Sequence, residues 1–197
     1  MKSLYDFIIK PLNTRYDNTR KVGDKTLIIN TSIENHRFVS KEAVVVSVPA
    51  AYSSLIKEGD HVHVHHNIFR RWYDQKGRER NSSKHFKDDL YFCSPDQIYM
   101  FNGKCHGPYC FIKPILNQDI LDTDKEQSNV GIVKYSNKFL EALKITPGTL
   151  VTFTPNSEFE FIVNNERLYC MKYNYIALTH EKEGNEREHN PSWAKGS

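Results

Sequence analysis

Apolar positions along this chain fall in short alternating runs rather than in a helical stripe. β-Branched and aromatic residues cluster over 6–10, 26–29, 42–48, 61–66, 90–93, 97–101, 110–113, 131–135, 150–154, 159–163, 168–171 and 175–178. Gly, Pro, Asn or Asp bounds most of these runs, and each predicts a strand. In His61-Val62-His63-Val64-His65 the alternation places valines on one face and histidines on the other. The best helical pattern, 137–144, is short. With almost no helical pattern between the strands, the chain argues against a doubly wound α/β sheet, and small all-β barrels or sandwiches are expected.

The pattern also repeats. Phe7-Ile8-Ile9-Lys10-Pro11 returns as Phe111-Ile112-Lys113-Pro114, and Ala43-Val44-Val45-Val46 returns as Gly131-Ile132-Val133-Lys134. Ile56-Lys57-Glu58-Gly59-Asp60-His61-Val62 returns as Ile145-Thr146-Pro147-Gly148-Thr149-Leu150-Val151. Leu90-Tyr91-Phe92, followed by Ile98, returns as Leu168-Tyr169-Cys170, followed by Ile176. The matches keep one order, which predicts two domains of one fold over 1–102 and 108–180. Residues 181–197 follow as a flexible or docking tail. Pro closes the first strand of each repeat because it cannot donate to a central ladder. Gly59 and Gly148 supply the tight turn into the next strand.

This ordered set resembles the GroES co-chaperonin family: an opening strand ending in a basic residue, a long loop, a Gly-Asp turn into a strand, a roof hairpin and a closing element. The resemblance covers 5–101 well and 110–179 more loosely. It implies two tandem GroES-like small β-barrels. It further implies a non-enzymatic co-chaperonin-like protein that forms a ring and caps an ATP-bound chaperonin to assist protein folding. A homo-oligomer follows, possibly a heptamer. A mobile loop would dock through Leu27, Ile28 and Ile29, although 26–29 also reads as an ordinary barrel strand. Burying each such side chain contributes roughly 1.5–3 kcal/mol. The corresponding loop of the second repeat is short and acidic, with Asp119, Asp122, Asp124 and Glu126. That favours an alternative, a viral (phage) structural protein using the fold as a ring, cement or connector module among other viral structural proteins.

The most unusual segment is 66–88, with seven Lys or Arg against three acids, interleaved with Phe69, Trp72, Tyr73 and Phe86. It reads as a long hairpin turning at 74–77. Either its charges are simply solvated, or its Arg70, Arg71, Trp72, Tyr73, Arg78 and Arg80 face a protein partner or an enclosed substrate, with a nucleic-acid strand as a lesser alternative. Trp193 is a large ring in a polar tail and marks a docking point.

Overall charge narrows the classes. Lys and Arg total 27 against 24 Asp and Glu, a net of +3, too even for a whole-protein nucleic-acid binder. Hydrophobic residues at 39% and aromatics at 12% suffice for a core and argue against wholesale disorder. No apolar run reaches the roughly 20 residues of a membrane helix. Residues 1–6 lack a signal-peptide pattern, so the expected location is cytoplasmic: the host cytoplasm, or the virion for a viral protein.

His61, His63 and His65 share a predicted strand face, but one straight strand converges poorly on an ion. Cys105-His106 and Cys110, with Cys93, form no second matched pair. No metal and no cofactor are expected. The chain has no G-x-S-x-G, H-E-x-x-H, P-loop or G-x-G-x-x-G, so no catalytic residue and no enzyme activity are expected.

Overall fold

The turn repeated in sequence is repeated atom by atom. Gly59 and Gly148 take φ of 89° and 95°, where a side chain would be strained. The Gly59 amide donates to Val45 O at 2.8 Å, and the Gly148 amide donates to Val133 O at 2.8 Å. Val45 N donates to Asp60 O at 3.0 Å, and Val133 N to Thr149 O at 2.9 Å. Even the side-chain brace is shared: Lys57 N donates to Asp60 Oδ2 at 2.8 Å, and Thr146 N to Thr149 Oγ1 at 3.2 Å.

These contacts come from a computed structural model that describes residues 3–16, 19–28, 38–117, 126–182 and 184–194. The chain divides into two compact units, Met1–Asn102 and Gly103–Ser197. The first holds β1 (Phe7–Pro11), β2 (Thr19–Val22), β3 (Lys25–Ile28), β4 (Glu42–Ser47), β5 (His61–Val64), β6 (Arg71–Tyr73), β7 (Glu79–Asn81), β8 (His85–Lys87), β9 (Leu90–Cys93) and β10 (Ile98–Phe101). The second holds β11 (Lys104–Cys105), β12 (Tyr109–Leu116), β13 (Glu126–Tyr135), α1 (Lys138–Ala142), β14 (Leu150–Phe153), β15 (Phe159–Val163), β16 (Glu166–Lys172) and β17 (Ile176–His180). All the segments predicted as strands carry one, and the protein is all-β.

Within the first unit the sheet runs β10–β5–β4–β1–β9–β8; within the second it runs β17–β14–β13–β12–β16–β15. The two orders correspond strand for strand, and every named pairing in them is antiparallel. Ile9 lies between Val45 and Tyr91; Ile112 lies between Val133 and Tyr169. Both central strands carry an irregularity at the same place, between Ile8 and Ile9 and between Phe111 and Ile112. Such a bulge bends the strand and increases its twist.

Each unit has its own core. Phe7, Ile9, Val45, Val62, Val64, Ile68, Phe69, Tyr91 and Ile98 pack in the first. Cys110, Ile112, Val133, Leu140, Ile145, Val151, Phe153 and Met171 pack in the second. The second adds α1, capped by Asn137, whose Oδ1 accepts from Phe139 N and Leu140 N at 3.1 and 3.0 Å.

The expected closure into small barrels is absent, because neither sheet closes on itself in strand order. In the first unit β8 has three residues, two of them exposed, and is too short to carry a ladder round. In the second, β15 and β17 end the sheet. No helix among the described residues is long and apolar enough to cross a membrane.

Candidate functional site

The segment expected to dock leaves the first sheet and returns to it at one point. Tyr16 and Val39, both buried, form an isolated bridge there, and Ser40 N donates to Arg15 O at 3.0 Å. Between them β2 and β3 make a separate two-stranded hairpin, in register from Thr19 opposite Ile28 to Val22 opposite Lys25. Gly23, with φ 62°, makes the turn. Leu27 is 52% exposed on this hairpin. Ile28 ends β3, and Ile29 lies outside the described residues. Residues 25–28 therefore form a strand, as the simpler reading expected, but one that stands apart from the main sheet.

The basic segment forms a second hairpin, β6 with β7, pairing Trp72 opposite Arg80 and Tyr73 opposite Glu79. Asp74 organises its tip: Oδ1 accepts from Lys76 N and Arg78 N, each at 2.9 Å, and Oδ2 accepts from Arg80 Nε at 3.0 Å. The Arg78 amide is foremost in holding this carboxyl below the usual carboxylate range. Arg71 pairs with Glu79 at 2.9 Å, and its guanidinium lies 4.6 Å from the Tyr16 ring centroid. Two of the predicted arginines are thus engaged within the hairpin, while Trp72, Tyr73 and Arg78 remain exposed. Arg70, Trp72, Asn67 and Ser82 line an open cleft of about 400 Å³.

Arg15 clamps the base of this hairpin. Its Nε donates to Phe69 O at 2.6 Å, Nη1 to Asn81 Oδ1 at 2.7 Å and Nη2 to Arg70 O at 3.2 Å. The fork geometry of guanidinium suits three such acceptors. Tyr16 OH accepts from Arg71 N at 2.8 Å, so both hairpins spring from the same anchored dipeptide.

The histidine row breaks after His63. The strand ends at Val64, and His65 Nδ1 accepts from Asn67 N at 3.0 Å, starting a helical turn over His66–Ile68. His65 stacks on His66 with ring centroids 4.5 Å apart. The predicted three-histidine face therefore reduces to His61 and His63, and the third polar group comes from the next strand. Glu42 on β4 lies directly opposite His63. His63 Nε2 is 3.4 Å from Glu42 Oε1, and His61 Nε2 is 3.9 Å from Glu42 Oε2. His63 is 5% exposed, yet neither of its ring nitrogens makes an aligned hydrogen bond; the 3.4 Å contact is an ion-pair approach only. Contact with His63 lowers the Glu42 pKa, against the effect of burial. Burial, then the neighbouring His63, lowers that of His61. Glu42 was not singled out from the sequence. Its signal was the repeat register, which already sets the strand of Glu42 beside that of His63.

The thiols are chemically quiet. All four cysteines are free, and burial pushes Cys110 up to about 12 and Cys93, Cys105 and Cys170 upward as well. Among the described residues Cys105, His106 and Cys110 do not converge on a common point; Glu42, His61 and His63 do.

The tail makes contacts within its own unit. Leu116 N donates to Arg187 O and His189 N to Pro114 O, each at 2.8 Å. Asn190 Oδ1 accepts from Lys113 Nζ at 3.1 Å and from Arg167 N at 2.9 Å. Arg167, bonded to Glu126, Glu160 and Tyr169, has its guanidinium 5.9 Å from the Trp193 ring centroid. Trp193 is 60% exposed.

No protein-family model, curated protein or solved structure matches this chain.

Proposed function

We propose that this protein is a non-enzymatic, co-chaperonin-like docking protein built from two tandem GroES-like domains. The observation that carries the reading is the β2–β3 hairpin: its second strand carries the exposed Leu27, and the hairpin stands apart from the main sheet beyond the Tyr16–Val39 bridge. A hairpin of this kind offers few apolar side chains, each contributing roughly 1.5–3 kcal/mol on burial, so one copy binds weakly. Repetition around a ring raises the avidity. The duplicated strand order supports the tandem reading. The open edges at β8, β15 and β17 support a homo-oligomer, since unpaired edges are normally covered. The partner is an ATP-loaded chaperonin ring, any ATP hydrolysis belongs to that partner, and the chain acts in the cytoplasm. Leu27→Asp should abolish capture of the full chain by an ATP-loaded chaperonin. Undiminished capture by that variant removes the docking mechanism.

One observation favours a second reading, a viral structural module. The exposed Trp72, Tyr73 and Arg78 stand on a hairpin that, among the described residues, only the first unit carries, as a connector between unlike partners would need. Stoichiometric recovery of the chain from purified particles supports that reading, and its absence from them ends it.

A further inference from the structure

We propose that Glu42, His61 and His63 form a binding site for a divalent transition-metal ion of the zinc class. The site is independent of the docking hairpin. It is built by register: β4 and β5 pair antiparallel, with Glu42 opposite His63 and Val44 opposite His61. Residues two apart share a face, so His61, His63 and Glu42 project on one side of the sheet. Their donor atoms all lie within 4.8 Å of one another. A tetrahedral zinc with bonds of about 2.0–2.1 Å sets its ligand atoms roughly 3.3 Å apart. His63 Nε2 is 3.4 Å from Glu42 Oε1 and His61 Nε2 is 3.9 Å from Glu42 Oε2, so each imidazole approaches its own carboxylate oxygen, and side-chain rotation must draw one nitrogen of each ring and one oxygen to the tetrahedral spacing.

Burial points the same way. Nε2 of His61 and both ring nitrogens of His63 are shielded from solvent without an aligned hydrogen-bond partner. Buried polar groups in native proteins are normally satisfied, and an orphan cluster calls for a missing partner. A cation supplies one, since imidazole nitrogens and a carboxylate oxygen are ligands of such an ion. That donor set suits zinc better than the all-oxygen shells of calcium or magnesium.

The second unit acts as an internal control. At the positions matched by register to Glu42, His61 and His63 it has Val130, Leu150 and Thr152. Val130 and Leu150 there join a small apolar cluster with Ile115 and Ile132. Thr152 is the one polar residue of the three, bonded to His180 at 2.7 Å, so the fold does not require a Glu and two His here, and the first unit carries them at a cost in desolvation. Three protein ligands leave a fourth position for water or an outside donor.

The test uses the full chain, stripped with EDTA and dialysed, titrated with Zn²⁺ alone by calorimetry and with Co²⁺ by absorption. One Zn²⁺ per chain should bind, with a dissociation constant in the micromolar range or below. Co²⁺ should give the visible bands of tetrahedral coordination. His61→Ala and Glu42→Gln, both at half-exposed positions that keep the core intact, should each weaken Zn²⁺ binding at least roughly tenfold. Zn²⁺ should raise the melting temperature of the wild type more than that of His61→Ala at the same concentration. His85→Ala, away from the cluster, should bind as the wild type does. Lack of stoichiometric Zn²⁺ binding by the wild type, or equal binding by His61→Ala and Glu42→Gln, overturns the proposal.

Discussion

The two units share a strand order and a turn, yet they have spent their outer surfaces differently. Lys10 and Lys113 hold the same register position, opposite Val44 and Ile132. Lys10 is exposed; Lys113 is 1% exposed and donates to Asn190 of the tail. Ala43 faces Pro11, while Gly131 faces Pro114, and a Cβ at Gly131 would stand 2.5 Å from Lys113 O and 2.6 Å from Ile112 Cγ2. Between β5 and β9 the first unit inserts its basic hairpin; between β14 and β15 the second makes a short turn. The inward-facing apolar positions fix the sheet order, and matched outward positions are then free to carry a hairpin, a polar cluster or a covering tail. The differences between the units therefore mark where each is specialised.

The comparison is broken most severely at its centre. Ile9→Ala and Ile112→Ala, at matched and fully buried positions, should each cost about 2–5 kcal/mol in denaturant unfolding. A neutral result for either one would mean that the two cores are not equivalent. Asn190→Ala should cost about 1–3 kcal/mol, because it leaves the buried Lys113 ammonium and the Arg167 amide without their acceptor. The matched Lys10 has no such dependence, so Lys10→Ala should be close to neutral. Gly131→Ala should cost about 1–3 kcal/mol by overpacking, as measured by thermal melts.

The smallest effect is on pH dependence. His61 titrates below its unfolded value of about 6.5, so an unfolded chain binds the proton first as pH falls. Stability is present above pH 6.5 and is lost as pH falls through the folded pKa of His61. Glu42, also depressed, adds loss in the same direction at lower pH, as its folded pKa is crossed. In EDTA, His61→Gln combined with Glu42→Gln should flatten this part of the melting-temperature profile; an unchanged slope would assign it to other groups.

Much of this architecture is legible in the sequence, for physical reasons that can be named. The strands that bury one face, such as β4 with alternate buried positions from Ala43 to Ser47, write that face as alternation. The turn is legible because Gly at positive φ is hard to replace. β7 left no such trace, since all of its residues are exposed and no core constrains their type. The face expected for His65 is not observed because alternation predicts a face only while the strand lasts, and β5 ends at Val64. Glu42 was missed since a site shared by two strands is visible only when their register is applied to polar positions as well as apolar ones. The attachment of the tail rests on backbone hydrogen bonds and on Asn190, which have no periodicity to read.

Native mass measurement of the full chain, alone and mixed with a chaperonin and ATP, tests the docking reading most directly. The account predicts a ring of identical chains that shifts to a ring-on-chaperonin mass only when ATP is present. A monomer whose mass is unchanged by chaperonin and ATP would contradict it.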